Sequence, residues 1–309
     1  MKFTVFTPTY NRGNLLTRLY QSLCQQNYKN FEWIIVDDGS SDNTASLVES
    51  IQSRHINGDF PILYCRKESG GKHTAINLGV KKAQGDLFFI ADSDDILPPN
   101  ALQTIEKVWE QTKYDSSIGG ICGFDGDLNG GSLIGSGFPK SLHLNKLSLA
   151  DNNIISYIDG TTRQIRFGLG IEGDMKEVFR TSVLREFPFP EIKGERFCPE
   201  VLLWNRIASK YKLRHIDKII YLVEYQQDGI SAAITRNRMN SPIAATITYA
   251  EMLGYDIPIK VKVRSAINYW RFKSCVNKNI LLMPKVKWYW YTYLPIGFMM
   301  HLKDKKTNK

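Results

Sequence analysis

The chain has 309 residues, 43% apolar and 23% charged, which is enough for one large α/β domain or two small ones and typical of a water-soluble globular protein. Its five cysteines lie far apart with no CxxC pair, which argues against a disulfide framework or a zinc site and for a reducing compartment. The net charge of +9 is uneven: from Lys260 onward twelve basic residues accompany one acid, so that stretch carries +11 and the preceding 259 residues carry −2. Basic character confined in this way suits an anionic surface, and an acidic main body without a known reading module argues against nucleic acid as the partner.

Met1-Lys2-Phe3-Thr4-Val5 moves straight into a strand pattern, so no signal peptide is expected and the cytoplasm is the default location. Apolar strands are predicted at Phe3–Thr7, Trp33–Val36, Ile62–Tyr64 and Leu87–Ala91, separated by amphipathic helices at Leu15–Cys24, Thr44–Ser53 and Thr74–Ala83. Strand-helix alternation at this spacing implies a parallel sheet with right-handed crossovers, and such sheets bind ligands at the carboxyl ends of their strands. The polar motifs follow that rule. Thr7-Pro8-Thr9-Tyr10-Asn11-Arg12 follows the first strand, Asp37-Asp38-Gly39-Ser40 the second, Ser69-Gly70-Gly71-Lys72-His73 the third and Asp92-Ser93-Asp94-Asp95 the fourth.

The last of these puts three carboxylates within four residues at the end of a buried strand, where they repel and resist desolvation. A divalent cation carrying diphosphate oxygens would relieve the repulsion, and hard oxygen ligands suit Mg²⁺ or Mn²⁺. A solvated turn capping the next helix is the plainer alternative. Asp38 can accept a hydrogen bond from a nucleobase N–H or cap a helix. Gly71 permits a close backbone approach to a ligand, and Lys72 adds positive charge where a diphosphate would meet a helix N-terminus. His73 reads as a packed side chain.

From about Thr112 to Gly170 the pattern weakens into glycine-rich, irregular or antiparallel structure, with short apolar runs such as Ile118–Phe124. A strand is predicted at Glu177–Thr181 and a helix from about Pro199 to Tyr211. Glu200 in that helix's first turn gains from the helix dipole, and the same position could hold a general base at a pocket edge. The last seventy residues read as helices with a break near Met283-Pro284.

These motifs together resemble family 2 glycosyltransferases of the inverting, bacterial cell-surface polysaccharide type. The resemblance is strongest over about residues 1–110, through the Thr7–Arg12, Val36–Asp42, Ala75–Gly79 and Asp92–Asp95 runs, and continues more loosely through Glu200–Ile207. It implies the GT-A fold: an α/β, Rossmann-like nucleotide-binding half (1–112), an acceptor-binding half with a mixed sheet (113–225) and a helical C-terminal extension (226–309). It also implies a nucleotide-sugar donor, with UDP as the default base, held by Thr7, Pro8, Tyr10, Arg12, Asp38, Gly71, Lys72, Asn77, Asp92 and Ser93, and a Mn²⁺ or Mg²⁺ ion on Asp94. Glu200 would be the base, standing where the family usually has aspartate. Glu195 is close enough in sequence to share or take that role. The acceptor would be a glycan or lipid-linked glycan. The resemblance leaves the oligomeric state open.

Residues 285–303 form an aromatic, apolar stretch between lysines, about fifteen residues long and interrupted by Pro295 and Gly297, too short for a spanning helix. Trp and Tyr beside Lys suit the headgroup layer, so attachment at the inner face of a membrane is expected, against a helix packed on the main body with solvated lysines. Two other functions fit less well. A sugar-phosphate nucleotidyltransferase would need a glycine-rich basic loop after the first strand, and a non-catalytic scaffold would not need all of the acids.

Overall fold

The computed structural model describes residues 3–129, 131–149, 154–224, 233–276 and 283–307. The expected boundary at 225/226 lies outside those residues. Two compact units are present: Met1–Ser69 with Ala75–Pro188 and Ile207–Glu224, and Gly70–Thr74 with Phe189–Arg206 and Tyr225–Lys309.

The first unit is built on one nine-stranded sheet. Its strands are β1 (Phe3–Thr9), β2 (Phe31–Asp37), β3 (Ile62–Arg66), β4 (Leu87–Ile90), β5 (Ile118–Asp127), β6 (Asn145–Ser148), β7 (Ile154–Gly160), β8 (Met175–Arg180) and β9 (Lys212–Val223), in the order β3-β2-β1-β4-β8-β5-β9-β7-β6. The expected parallel half is the run β3-β2-β1-β4. Every residue of β1 and β2 is buried, as for strands covered on both faces. The crossovers are α1 (Gly13–Cys24), α2 (Thr44–Arg54) and α3 (Lys72–Lys82); α4 (Ala101–Glu110) follows β4. Leu16, Leu19 and Leu23 of α1 join Phe3, Trp33 and Phe89 in the core, so the predicted helical stripe is the buried one.

Beyond β4 the sheet is mixed, because β8 inserts antiparallel between β4 and β5 while β9 runs parallel to β5. The weak sequence pattern here conceals a ten-residue central strand. β5 carries glycines because its neighbours come too close for side chains: a Cβ on Gly120 would lie 2.2 Å from the Val178 carbonyl oxygen. Glycine content read as irregularity is here tight strand packing. A short helix, α5 (Thr181–Glu186), follows β8.

The second unit is helical. Its elements are α6 (Glu200–Ile207), α7 (Ile234–Asn240), α8 (Pro242–Met252), α9 (Ile259–Lys273), a 3₁₀ segment (Trp288–Tyr293) and α10 (Leu294–Thr307). The predicted helix from Pro199 to Tyr211 therefore stops at Ile207. Ala245, Tyr249, Tyr269, Trp270 and Phe272 form a core of their own. Among the described residues no helix is long and apolar enough to cross a membrane.

Candidate active site

In the first unit the polar loops leave the carboxyl ends of β1, β2 and β4 side by side, because the parallel register pairs Thr9 with Asp37 and Phe6 with Ile90. The loops are also tied to one another. The Asp38 N–H donates to the Thr9 carbonyl (2.9 Å), the Asn11 N–H to Ser40 Oγ (2.8 Å) and the Ser41 N–H to Asn11 Oδ1 (2.8 Å). Asn11 sits at φ +52°, a left-handed conformation that asparagine tolerates better than most side chains.

The two aspartates after β2 have different tasks. Asp37 is fully buried and accepts from the Tyr64 hydroxyl and the Ser40 N–H, both at 2.7 Å, so it holds the turn together. Asp38 faces Lys67 Nζ at 2.7 Å and Ser69 Oγ at 3.3 Å. Asp94 is ion-paired with Arg12, and Arg18 donates to the Asp94 carbonyl while pairing with Glu224 at 2.7 Å. Arg12, expected on the nucleotide, is thus a partner of the acidic motif. Tyr10 is 51% exposed, and Asn77, Asp92 and Asp94 are half-buried.

Three of the residues expected on the donor are buried. Thr7 is fully buried and its hydroxyl accepts from the Trp33 indole N–H at 2.9 Å. Pro8 is enclosed within β1, and Ser93 is 3% exposed. Tyr10, Arg12, Asp92 and Asp94 are the more exposed of the expected groups at this edge, and Asp38 is 6% exposed.

Several residues that the motifs did not reveal belong to the same edge. The Asp92 N–H donates to the buried Tyr221 hydroxyl at 2.6 Å, and Lys176 Nζ sits 3.8 Å from that ring's centre. Asp125, just past the predicted end of the Ile118–Phe124 run, is 5% exposed, and its Oδ1 has no hydrogen-bond partner among the described residues. Asp125, Lys176 and Tyr221 are brought together by the pairing of β5 with β8 and β9.

Burial, reinforced by the Asp92 charge, pushes the Asp95 carboxyl up to about 7; burial likewise raises Asp125 to about 6 and Glu177 to about 7. Carboxyls raised in the folded state bind more protons there than when unfolded, so stability falls as pH rises through their folded values. Buried His215, lowered to about 4, opposes this only up to its ordinary value of 6.5. Metal-free protein is therefore expected to unfold roughly 2–5 °C lower at pH 8 than at pH 6.5. Thermal scans in the two buffers test this, and a flat or rising midpoint would contradict it.

The site is built for hard ligands, with carboxylate oxygens and no thiol or imidazole among its presented groups. The described residues contain no ready cluster of three ligands.

The second unit holds the other predicted groups. Lys72 Nζ lies 2.8 Å from Glu200 Oε1, and Glu200 opens α6 with its side chain 36% exposed. Glu195 is 8% exposed, and its two oxygens accept the N–H groups of Ile243 (2.6 Å) and Ala244 (2.9 Å) in the first turn of α8. It is a helix cap, with both oxygens committed. Gly71, at φ +95°, comes close to the Arg196 carbonyl, whose oxygen lies 1.9 Å from where a Cβ would sit. His73 is 3% exposed and packs edge-on to Phe189, as a packed histidine should.

The sequence model of "Glycosyl transferase family 2" matches residues 4–169. An uncharacterised glycosyltransferase of Rickettsia bellii is 32% identical over 236 residues, 74% of this chain and 29% of that protein. Glycosyltransferase GlyG of Streptococcus pneumoniae is 31% identical over 122 residues, 40% of each. The chain thus spans well under half the length of these relatives. Among solved structures, S. aureus TarS 1-349 in complex with UDP-GlcNAc superposes with a TM-score of 0.56 at 20% identity, covering 89% of this chain and 72% of that one. The mannosyltransferase PcManGT from Pyrobaculum calidifontis, in complex with GDP-Man and Mn²⁺, gives 0.55 at 16%, covering 98% and 87%. At these identities the superpositions establish the fold.

Proposed function

The chain belongs to glycosyl transferase family 2, and from that premise we propose that it moves a sugar from a nucleotide-diphosphate donor, a UDP-sugar by default, to a hydroxyl of a glycan or lipid-linked glycan acceptor. The reaction inverts the anomeric centre, and it is carried out at the inner face of a bacterial membrane in surface polysaccharide synthesis. The observation that carries this reading is the alignment of Asp38, Asp92 and Asp94 on one edge of the parallel half-sheet, where α/β sheets bind nucleotides. UDP-GlcNAc and GDP-Man in the two superposed structures support the donor class.

Each residue's part follows from its surroundings. Asp38, with Lys67 and Ser69 fixing its carboxylate, accepts a hydrogen bond from the base. Exposed Tyr10 offers a ring for the base to stack on. Asp94, with Asp92 beside it, would hold Mn²⁺ or Mg²⁺, which when bound supplies positive charge to the diphosphate. Arg12 orients Asp94 by its ion pair. Glu200 takes the proton from the attacking acceptor hydroxyl, and Lys72, 2.8 Å away, fixes the orientation of that carboxylate. Glu195 keeps α8 in place and stays out of the chemistry.

A thermal-shift screen of nucleotide sugars with Mn²⁺, followed by donor hydrolysis, tests the assignment. One nucleotide-diphosphate sugar should raise the unfolding temperature by several degrees, as a ligand present at about a hundred times its Kd would. No response to any of them, or turnover of a nucleoside triphosphate with a sugar phosphate, would overturn it.

A further inference from the structure

Helix α10 is inside out for a water-facing helix. Its buried residues are Gly297, His301 and Asp304, while Leu294, Phe298, Met299 and Leu302 are 40–61% exposed. Helices in water do the reverse. Eight of the seventeen exposed large apolar side chains among the described residues lie between Trp288 and Leu302. Scattered single exposures are ordinary, but a contiguous patch is not.

The rotation of this helix is fixed by specific contacts. Gly297 sits against α9, where a Cβ would lie 2.6 Å from Trp270 Cβ and 2.7 Å from the Ile267 carbonyl oxygen. Asp304 accepts both arms of the Arg271 guanidinium, at 2.5 and 2.7 Å, in a mostly buried bidentate pair. His301 Nδ1 lies 3.3 Å from Cys275 Sγ. A glycine seat and a buried ion pair thus clamp the polar stripe inward and leave the apolar sides facing out. The preceding 3₁₀ segment is anchored by buried Trp290, whose carbonyl accepts from the Trp270 indole at 2.9 Å, and this leaves Trp288 82% exposed.

We infer that the outward face of the 3₁₀ segment and α10 is an in-plane membrane anchor that selects anionic lipid. The inference rests on the reading of the chain as a membrane-surface transferase, and it gives that surface its residues and its lipid charge. α10 has 14 residues, about 21 Å of helix, too short to span a hydrocarbon core but suited to lying within the interface. Lys285, Lys287, Lys303, Lys305 and Lys306 flank the apolar patch and are all exposed, while the one acid of the segment, Asp304, is neutralised by Arg271. This charge complements anionic headgroups. It also disfavours a second copy as the occupant, because a self-complementary interface would set two such lysine clusters against each other.

The test uses the whole 309-residue chain. It should co-sediment with phosphatidylglycerol-containing vesicles and much less with phosphatidylcholine alone, and brominated lipid should quench its tryptophan emission less in Trp288→Phe. Met299→Glu with Leu302→Glu should weaken vesicle partitioning by roughly tenfold or more, and Lys303→Gln or Lys305→Gln by about fivefold each. These positions are exposed, so unfolding temperature and donor binding should not change. Absence of sedimentation with anionic vesicles would overturn the anchor, as would a dimer in solution that the glutamate pair dissociates. Loss of donor binding in every form, with vesicle binding intact, would instead overturn the transferase reading.

Discussion

Glu200→Gln is expected to bind donor normally and to lower turnover by about 10²–10⁴-fold, the range contributed by a positioned general base. The substitution keeps the shape of the side chain and its place at the start of α6 and removes its capacity to take a proton. It also weakens the contact with Lys72, a part-exposed ion pair worth little to stability, so the unfolding temperature should move by only a degree or two. The effect should fall on kcat and leave donor Kd unchanged, because only transition-state stabilisation is lost. Glu195→Gln is the informative control. It replaces a carboxylate that accepts two backbone N–H groups of α8, so it should lower stability by about 1–2 kcal/mol while the pH profile of turnover keeps its shape. If Glu200→Gln turned over near the normal rate and Glu195→Gln lost activity with its fold intact, the base would have to be reassigned.

Chelation with EDTA should abolish transfer, and Asp94→Asn should lower it by at least 10²-fold even at saturating Mn²⁺. A carboxylate can neutralise a divalent cation, whereas the amide supplies only a weak oxygen ligand. The same change breaks the ion pair with Arg12, but that pair is part-exposed and contributes about 1 kcal/mol or less. Folding and catalysis are therefore separable by comparing thermal midpoints with turnover. Donor-dependent Mn²⁺ binding, followed by the ion's paramagnetic signal, gives a second readout. Full activity in EDTA, or a wild-type Mn²⁺ affinity in Asp94→Asn, would remove the role assigned to Asp94.

Much of the first unit was legible in the chain. Period-2 and period-3.6 apolar patterns are local, and strand-helix alternation restricts the topology, so the four parallel strands and their loops followed from residues 3–95. Other features were hidden. Thr7 looked like part of a binding motif, but its hydroxyl is engaged by Trp33, which is brought alongside only by the pairing of β1 with β2. Glu195 reads as a candidate base in the sequence, and the first turn of α8, nearly fifty residues later, donates two N–H groups to its carboxylate. β5 looked irregular because its glycines are set by neighbours in β8 and β9 that no local pattern shows.

The amino-acid order by itself determined the alternating α/β plan, the clustering of acids behind strand ends and the concentration of positive charge after Lys260, because these depend on residue spacing and composition alone. Tertiary structure decided which side chains those motifs present. It buried Thr7, turned Glu195 into a cap, set Lys72 against Glu200 and clamped α10 with its apolar side outward. The reason is that a polar group's role depends on the partner that reaches it first, and in a folded chain that partner can come from any distance along the sequence.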